Sequence, residues 1–339
     1  MIALALLLAV RLVPATAGVE YRQPQLAVGG GLVGVTFGAG NTVYFAASRD
    51  QGQSFSSPVK VGGCRALSLG NHRGPRLAIT PGAIVTSAVV DQNLTAWRST
   101  DGGKSWSAGI AVNDVPTAAR EGLHAMAAGA NGVVFAAWLD LRSGHTELYG
   151  AQSKDGGATW SKNVLVYRSP DGHICECCHP SVAIDAKGNV YVMWRNWLHG
   201  ARDMYLARSN DGGHSFQAGE KVGEGTWPLN ACPMDGGGLA LDSEGSVVSV
   251  FRRGETVYLA RPKSAETELA RGRDASIAAG PEGVYAAWAA GGVRARFPGK
   301  PEPVLLAEDG AAVTLAGSGP VFAAWESKGA IVVRSLIAP

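Results

Sequence analysis

The chain has 339 residues, 46% of them hydrophobic and 17% charged, which is enough for a large buried core. Its formal net charge is only +2, and its lysines and arginines are scattered rather than grouped. The charge therefore argues against a nucleic-acid-binding protein and against electrostatic attachment to an anionic membrane.

The first 17 residues have the features of a secretory leader. The apolar run MIALALLLAV is followed by a small-residue site at Ala15, Thr16 and Ala17. The run is too short to span a bilayer, and no other apolar run in the sequence is long enough for that. We expect residues 1–17 to be removed as a signal peptide, and residues 18–339 to form one domain exported to the periplasm or the cell exterior.

Four short segments share the pattern S-x-D-x-G-x-x-(W/F) and recur about every 50 residues, a spacing that predicts a propeller or a solenoid. The pattern suits a tight β-turn, because aspartate and serine side chains bond turn amides and glycine accepts a positive φ. We expect a structural aspartate in each turn. The segments are residues 48–55, 99–106, 153–160 and 209–216, and their aspartates are Asp50, Asp101, Asp155 and Asp211.

Short apolar strands separated by glycine turns surround each segment, and no helical periodicity accompanies them. Three further copies of the unit, without the segment, follow at residues 237–262, 275–297 and 311–336. Counting the unit that begins at Pro24, the sequence predicts an all-β propeller with seven four-stranded blades, or six if the short late units merge. The last unit has only three strands, so we expect residues 18–23 to add the fourth and close the ring.

The four segments resemble Asp-boxes, also called BNR repeats, which mark sialidases and other β-propellers. The resemblance implies the propeller fold, and it implies a structural role for the boxes themselves. Because one fold carries many activities, the function has to be inferred from the loops.

The predicted blades divide the polar loops between two faces. With the strands of a blade taken from the axis outward, the Asp-boxes share one face with short glycine-rich turns. The opposite face, called the loop-rich face below, carries the links between blades and the turns between second and third strands. Arginines and histidines concentrate there, and binding residues usually lie on loops held by a rigid scaffold. The predicted ligand-binding residues are Arg22, Arg73, Arg76, Arg142, Arg195, Asn196, Arg202 and His124.

The tripeptide Arg22-Gln23-Pro24, preceded by Tyr21, resembles the R-x-P motif near the mature N-terminus of sialidases. In that family the arginine is one of three that grip the substrate carboxylate, a task that suits the arginine fork. The resemblance implies an exo-sialidase-like glycoside hydrolase, or a protein that binds a carbohydrate or a small carboxylated ligand. A late tyrosine and third arginine at the family's spacing are missing, which leaves the enzymatic activity open. The predicted catalytic carboxyls are Asp140, Asp203 and Glu176.

Nine residues, His173–Ser181, hold three of the five cysteines and two of the seven histidines. Disulfides persist in exported proteins, and a cysteine in the next link could pair with one of the three. The same groups also suit copper(I) or zinc. Because C-x-C-C differs from the usual C-x₂-C zinc spacing, and because export favours oxidation, we expect disulfides before a metal. The residues of this predicted cluster are Cys175, Cys177, Cys178, Cys232, His173 and His179.

The segment CECCHPSVAID, followed by MWRN, RDMYLARS and ACPMDGG, resembles a group of exported bacterial sialidase-like BNR proteins. The resemblance covers most of residues 70–260, and it implies fold and location rather than an activity. The alternative function is therefore a non-catalytic propeller that binds a metal or a protein partner through the cysteine and histidine cluster.

Overall fold

The computed structural model describes residues 9–317 and 319–336, and these residues form β-strands almost throughout. In chain order the strands are β1 Val10–Leu12, β2 Arg22–Gly29, β3 Leu32–Ala39, β4 Thr42–Ser48, β5 Val59–Gly63, β6 Arg76–Thr80, β7 Ala83–Val90, β8 Asn93–Ser99, β9 Ile110–Ala111, β10 His124–Ala128, β11 Val134–Asp140, β12 Glu147–Ser153, β13 Val164–Tyr167 and β14 Ser181–Ile184. They continue with β15 Val190–Arg195, β16 Met204–Ser209, β17 Glu220–Val222, β18 Gly238–Leu241, β19 Val247–Arg253, β20 Thr256–Ala260, β21 Thr267–Arg271, β22 Arg273–Gly280, β23 Gly283–Ala289, β24 Val293–Arg296, β25 Val304–Ala307, β26 Ala311–Gly317, β27 Val321–Ser327 and β28 Ala330–Leu336. A 3₁₀ turn at Ala130–Gly132 joins β10 to β11.

The described strands pair into seven antiparallel sheets of four strands each. Six blades use consecutive strands: β2–β5, β6–β9, β10–β13, β14–β17, β18–β21 and β22–β25. The seventh blade has the order β26-β27-β28-β1, so the N-terminal strand closes the ring. The predicted seven-bladed propeller is confirmed, and the six-bladed alternative is excluded. In the part of the chain that the structure describes, no helix is long and apolar enough to cross a membrane.

The strand that closes the ring differs from the predicted one. Residues 10–12 form it, with Val10 opposite Val333 and Leu12 opposite Ile331, whereas residues 18–23 were expected to do so. The physical reason is that Arg22 already pairs with Gly38 inside the first blade. Residues 1–8 of the predicted leader lie outside the described residues, and its removal after Ala17 stays a prediction.

The second strand of each early blade is the most deeply buried element. Every residue of β3, β7, β11 and β15 is buried, because a neighbouring blade covers each face of these strands. This explains runs such as VFAAWLD, which lack the alternation of a half-exposed strand. The largest side chains of this kind, Trp138, Trp194 and Trp288, fill the space between adjacent blades. The core is therefore a ring of apolar layers that holds the loops in place.

The four Asp-boxes form the same closed turn at the end of the third strand. In the second box the carboxylate of Asp101 accepts hydrogen bonds from the backbone of Lys104 and Ser105, at 2.9 and 3.0 Å. The hydroxyl of Ser99 donates to the same carboxylate at 2.8 Å and accepts the amide of Gly103 at 2.9 Å. The aspartates of the other boxes, Asp50, Asp155 and Asp211, accept the backbone amide that is equivalent to that of Ser105. All four turns lie on the face opposite the links between blades.

Candidate functional site at the mouth of the central channel

A cavity of about 160 Å³ lies on the propeller axis, where the innermost strands begin. Each of the seven blades contributes lining residues to it. Because the innermost strand of a blade starts at the link from the previous blade, the cavity opens toward the loop-rich face. The polar residues that line it include Gln23, His72, Arg76, His179 and Asp274.

Three innermost strands carry a bulge at their first residues. The strand pairing shifts between Arg22 and Gln25 in β2, and matching shifts occur at the start of β22 and β26. The bulged residues Gln23, Asp274 and Ala312 have φ angles of 54°, 56° and 51°, a conformation that costs energy in any residue other than glycine. A bulge turns a side chain away from its regular position, and such bulges concentrate near functional sites. All three residues line the cavity.

His72 and Asp274 meet across the cavity, from the links that enter the second and sixth blades. The Nε2 atom of His72 lies 2.8 Å from Oδ1 of Asp274. The backbone amide of Asp274 donates to the buried carboxylate of Asp235 at 2.9 Å, which fixes the bulge. Burial raises the pKa of Asp274, but the hydrogen bond and charge of His72, with the charge of Arg273, outweigh it and leave this pKa below its ordinary value. The pair therefore consists of a carboxylate and the imidazole that it orients.

His179 stacks on the ring of His72 with 4.6 Å between the ring centres. Its Nε2 atom lies 3.0 Å from the carbonyl oxygen of Gly237, so this nitrogen carries the proton and donates. Burial, together with the positive charges of His72 and Arg76, lowers the pKa of His179 well below its ordinary value. The neutral ring keeps an acceptor at Nδ1, and this buried atom has no hydrogen-bond partner among the described residues.

Arg76 and His124 lie beneath these histidines and support their backbone. The guanidinium of Arg76 donates to the carbonyl oxygens of His72, Gly74, Pro75 and His124, at 2.6, 3.2, 3.1 and 3.1 Å. Burial lowers its pKa to about 10. The ring of His124 is fully buried against Ser87, with 3.0 Å between Nε2 and the hydroxyl oxygen. Arg76 also lines the cavity, whereas His124 does not. The prediction that both residues bind ligand stays a prediction, and their observed contacts position the backbone beneath the histidines.

The guanidinium groups of two more predicted arginines are engaged by hydrogen bonds within the protein. Arg195 is buried, and its guanidinium donates to the carbonyl oxygens of Asp235, Arg202 and Arg252 at 2.9, 2.7 and 2.9 Å. Arg142 forms two bonds of 2.9 Å with the carboxylate of Asp140. Asp140 is fully buried and also accepts the indole N–H of Trp138 at 2.8 Å. Arg142 and Asp140 are therefore not part of the site proposed below.

The turn after β15 is also held by internal contacts. Asp203 lies 2.8 Å from the ammonium of Lys221 and accepts the backbone amide of Trp227 at 2.8 Å, so its partner is not Arg202. Arg202 instead lies over the ring of Trp197, 4.2 Å from its centre. The side-chain amide of Asn196 donates to the hydroxyl of Tyr167 at 2.9 Å. Asp203, Arg202 and Asn196 are thus buried parts of the loop framework, away from the cavity lining.

Two predicted arginines near the cavity are not fully buried: the side chain of Arg22 is exposed and that of Arg73 is half-buried. The Arg22 side chain is 46% exposed, and its Nε lies 3.7 Å from the carboxylate of Glu326. Arg73 donates to the backbone of Glu121 at 2.6 Å, and its Nη2 lies 3.9 Å from the carboxylate of the same residue. The guanidinium of Arg22 lies beside Gly70, which begins the turn that carries His72. Arg22 and Arg73 thus flank this histidine, and neither is tightly engaged by a carboxylate.

The predicted cysteine and histidine cluster is divided in the structure. The sulfurs of Cys175, Cys177 and Cys178 lie within 4.8 Å of one another and are buried. His173 contacts His145 and the exposed carboxylate of Glu176, whereas His179 lines the channel. Cys232 is exposed, and its thiol lies beside that of Cys177. Among the described residues, which include all five cysteines, no two sulfurs lie at bonding distance, and disulfide pairing stays a prediction.

Sequence reasoning missed Gln23, His72, Asp235 and Asp274 as candidate site residues. His72 and Asp274 stand in the links NHRGPR and RGRD, which the sequence does assign to the loop-rich face. Their common signal is a histidine or aspartate close to the start of an innermost strand. The sequence could have been searched for that position, but the bulges that turn the side chains inward leave no local pattern.

Comparisons with known proteins agree with this architecture. A search of the curated proteins found no match. The Penicillium chrysogenum α-L-arabinanase, solved with arabinobiose, is 12% identical with a TM-score of 0.55 over 97% of each chain. An ulvan lyase bound to a GlcA–Rha3S unit is 11% identical with a TM-score of 0.59, over 96% of this chain and 95% of that one. A sialidase from the Hadza microbiota is 15% identical with a TM-score of 0.52, over 94% of this chain and 66% of that one. At these identities the structures share the fold with this chain.

The family model described as a BNR repeat-like domain matches residues 83–252, half of the chain. The match begins in the second blade, includes three of the four boxes and ends in the fifth blade. Together with the box turns and the seven sheets, it confirms the resemblance to BNR-repeat propellers; the resemblance of the cysteine segment to exported proteins stays a prediction. The chain belongs to the BNR repeat-like family.

Proposed function

We propose that the chain binds a carbohydrate that carries a carboxylate, at the channel mouth on the loop-rich face. The observation that carries the proposal is the convergence of His72, His179 and Asp274 on a cavity lined by all seven blades. A concave site with a few convergent polar groups on a rigid scaffold is the usual form of a ligand site. The carboxylate of Asp274, which is partly exposed, suits sugar hydroxyls, which donate hydrogen bonds.

The preference for a carboxylate rests on Arg22 and Arg73, which flank the turn carrying His72. Each guanidinium is more than 3.5 Å from the carboxylate oxygen next to it, at 3.7 and 3.9 Å. A ligand carboxylate can therefore replace these weak contacts with the paired bonds that an arginine fork prefers. The ulvan lyase among the structural neighbours was solved with a sugar that contains GlcA, which supports an acidic glycan as the ligand class.

Cleavage of the bound glycan is the second candidate function, and the His72–Asp274 pair favours it. An imidazole whose ring is oriented by a carboxylate is an arrangement used to transfer protons near neutral pH. In this role the pair takes the place of the predicted catalytic carboxyls Asp140 and Asp203, whose oxygens form hydrogen bonds or ion pairs within the protein. We also propose export, on the leader features of residues 1–17.

The test is isothermal titration calorimetry with a short oligosaccharide that ends in a uronic or sialic acid, and with its methyl ester. We expect the acid to bind more tightly than the ester. Loss of a hydrogen bond to a charged group costs about 1.5–3 kcal/mol, so Arg22→Ala should weaken the acid about tenfold or more and leave the ester nearly unchanged. His72→Ala should weaken both ligands. Mass spectrometry of the same mixtures reports cleavage.

Matched controls lie on the opposite face, in the Asp-boxes. Arg49→Ala and His214→Ala remove the same two residue types at exposed positions, and both should retain wild-type affinity. Equal affinity for acid and ester would contradict the carboxylate preference. Unchanged binding in His72→Ala, or an equal loss in His214→Ala, would contradict the channel mouth as the site.

A further inference from the structure

Three buried thiols converge in the link that enters the fourth blade. We propose that Cys175, Cys177 and Cys178 form a site for one copper(I) ion, separate from the ligand site at the channel mouth. The exposed fractions of these residues are 0%, 8% and 1%, so a bound ion would be shielded from water. Binding replaces thiol protons by the metal, and the oxidation states of copper and sulfur do not change.

The distances between the sulfurs already match those around a metal ion. The sulfur of Cys175 lies 3.4 Å from that of Cys178 and 3.7 Å from that of Cys177. All three lie within 4.8 Å of one another. With metal–sulfur bonds of about 2.3 Å, ligand sulfurs stand about 3.8–4.0 Å apart in tetrahedral or trigonal geometry. The three sulfurs therefore need only small shifts to share an ion.

A disulfide explains this arrangement less well than a metal does. A bond between two sulfurs needs a separation of about 2.0 Å, whereas the closest pair, Cys175 and Cys178, lies 3.4 Å apart. Cys177 and Cys178 are adjacent in the chain, and so short a ring is strained. Cys175 and Cys178 have the C-x₂-C spacing that the sequence reading overlooked within C-x-C-C, and they are the closest pair.

The surroundings of the sulfurs suit a soft cation with three thiolate ligands. Met234, a residue with a thioether side chain, packs against the three cysteines. Cys178 accepts the backbone amide of Asp235 at 3.4 Å, and Arg195 and Arg202 lie near enough for their charges to act on Cys178 and Cys175. These groups offset the negative charge of buried thiolates. Zinc in structural sites takes four ligands almost without exception, whereas thiolate and thioether sulfur select copper(I).

The link is also rigid before any ion binds. The amide of Cys175 donates to the carbonyl oxygen of Arg195 at 3.1 Å, and a β-bridge joins Ile174 to Asn196. These bonds tie the cysteines to the end of β15, where Arg195 is itself fixed by three carbonyl groups. The site is therefore preorganised, which limits the loss of conformational entropy on metal binding.

The test is an anaerobic titration of the reduced, metal-free protein with copper(I), in competition with a coloured copper(I) chelator. We expect one copper per chain, and X-ray absorption of the loaded wild type should show about three sulfur ligands. Cys178→Ser should lower the affinity about a hundredfold, no less than the loss of an outer-shell partner does elsewhere. Cys64→Ser is the matched control and should bind like the wild type, because Cys64 lies outside the cluster.

Circular dichroism checks that each variant is folded, and the wild-type spectrum does not depend on any variant. Absence of copper from the reduced wild type would overturn the proposal, as would ligation dominated by nitrogen or oxygen. Retention of wild-type affinity in folded Cys178→Ser would do the same. A Cys175–Cys178 disulfide in the purified protein, with no copper bound after its reduction, would replace the metal site by a redox pair.

Discussion

His124 begins β10 and is enclosed on all sides by the second and third blades. Among the described residues its ring hydrogen-bonds only to the hydroxyl of Ser87, and its Nδ1 atom has no hydrogen-bond partner. Burial, with the nearby charge of Arg76, lowers the pKa of His124 well below its ordinary value. The folded protein therefore holds this side chain neutral.

The buried ring makes stability depend on pH. Below about pH 6.5 the unfolded chain binds a proton at His124 that the folded chain does not bind, so stability falls as the pH falls, by about 1.4 kcal/mol per pH unit for this group. His124→Gln should flatten that dependence, which urea unfolding between about pH 7 and pH 5 would measure. His179 acts in the same direction and remains in the variant. His214→Gln, at an exposed position, should change nothing, and an unaltered slope in His124→Gln would contradict the prediction.

At the scale of single residues, the sequence predicts the right face better than the right side chains. Arg76 and Arg195 lie on the loop-rich face as expected, yet their guanidinium groups donate hydrogen bonds to backbone carbonyl groups. Arg22 on the same face is exposed. A sequence cannot separate these two uses of arginine, because which carbonyls lie within reach depends on the folded paths of several links.

The Asp-box turns depend on a buried serine as much as on the aspartate. In the third box the hydroxyl of Ser153 donates to Asp155 at 2.8 Å and accepts the amide of Gly157 at 2.8 Å. Ser153 is buried, and the amide of Gly157 has nowhere else to bond within the turn. The same serine–glycine contact recurs in each of the other boxes.

Ser153→Ala should destabilise the protein without changing its fold. The substitution leaves the buried amide of Gly157 unpaired, and an unsatisfied buried donor costs about 1–3 kcal/mol. Chemical unfolding followed by tryptophan fluorescence measures the loss. The control is Ser264→Ala, at an exposed position, which should stay within about 0.5 kcal/mol of the wild type. If the two variants were equally stable, the hydroxyl would not hold the turn.

At the scale of elements, turns were predictable and bulges were not. Each box forms its turn from eight consecutive residues, so the hydrogen-bonding partners of the turn all lie within the sequence pattern. The bulges at Gln23 and Asp274 are defined by register against β3 and β23, which no single segment encodes. Pro24 is a partial hint, because a residue without an amide proton fits where ladder hydrogen bonds are interrupted. The cavity was missed for this reason.

At the scale of the whole molecule, the number of sequence repeats predicted the number of blades. The repeats did not specify which strand closes the ring. Seven units give seven sheets, but the strand that completes the last sheet comes from outside the repeats. Two candidate segments, residues 10–12 and 18–23, lie near each other in the sequence. The strand register identifies residues 10–12 as the closing strand, because Leu12 is buried opposite Ile331 whereas Arg22 pairs within the first blade.

The closing strand and the predicted leader overlap, and this overlap gives the last prediction. Removal of residues 1–17 would take β1 away and expose the edge of β28, which could then pair with another chain. A chain that starts at Gly18 should be less stable than one that starts at Ala9 by about 2 kcal/mol, the value of burying one leucine. It should also associate more readily, as measured by light scattering.

The two starting points form a matched pair, because both lack residues 1–8 and only one keeps β1. Arg11 adds to the difference, since its guanidinium donates to the backbone of Ser327 at 2.8 Å. N-terminal sequencing of the protein from its native cell then decides which form exists. Equal stability of the two chains would mean that β1 does not stabilise the closed ring. Cleavage after Ala17 would then leave the stability of the propeller unchanged. A clear difference in stability, together with a mature N-terminus before Val10, would mean that residues 10–12 close the ring in the mature protein.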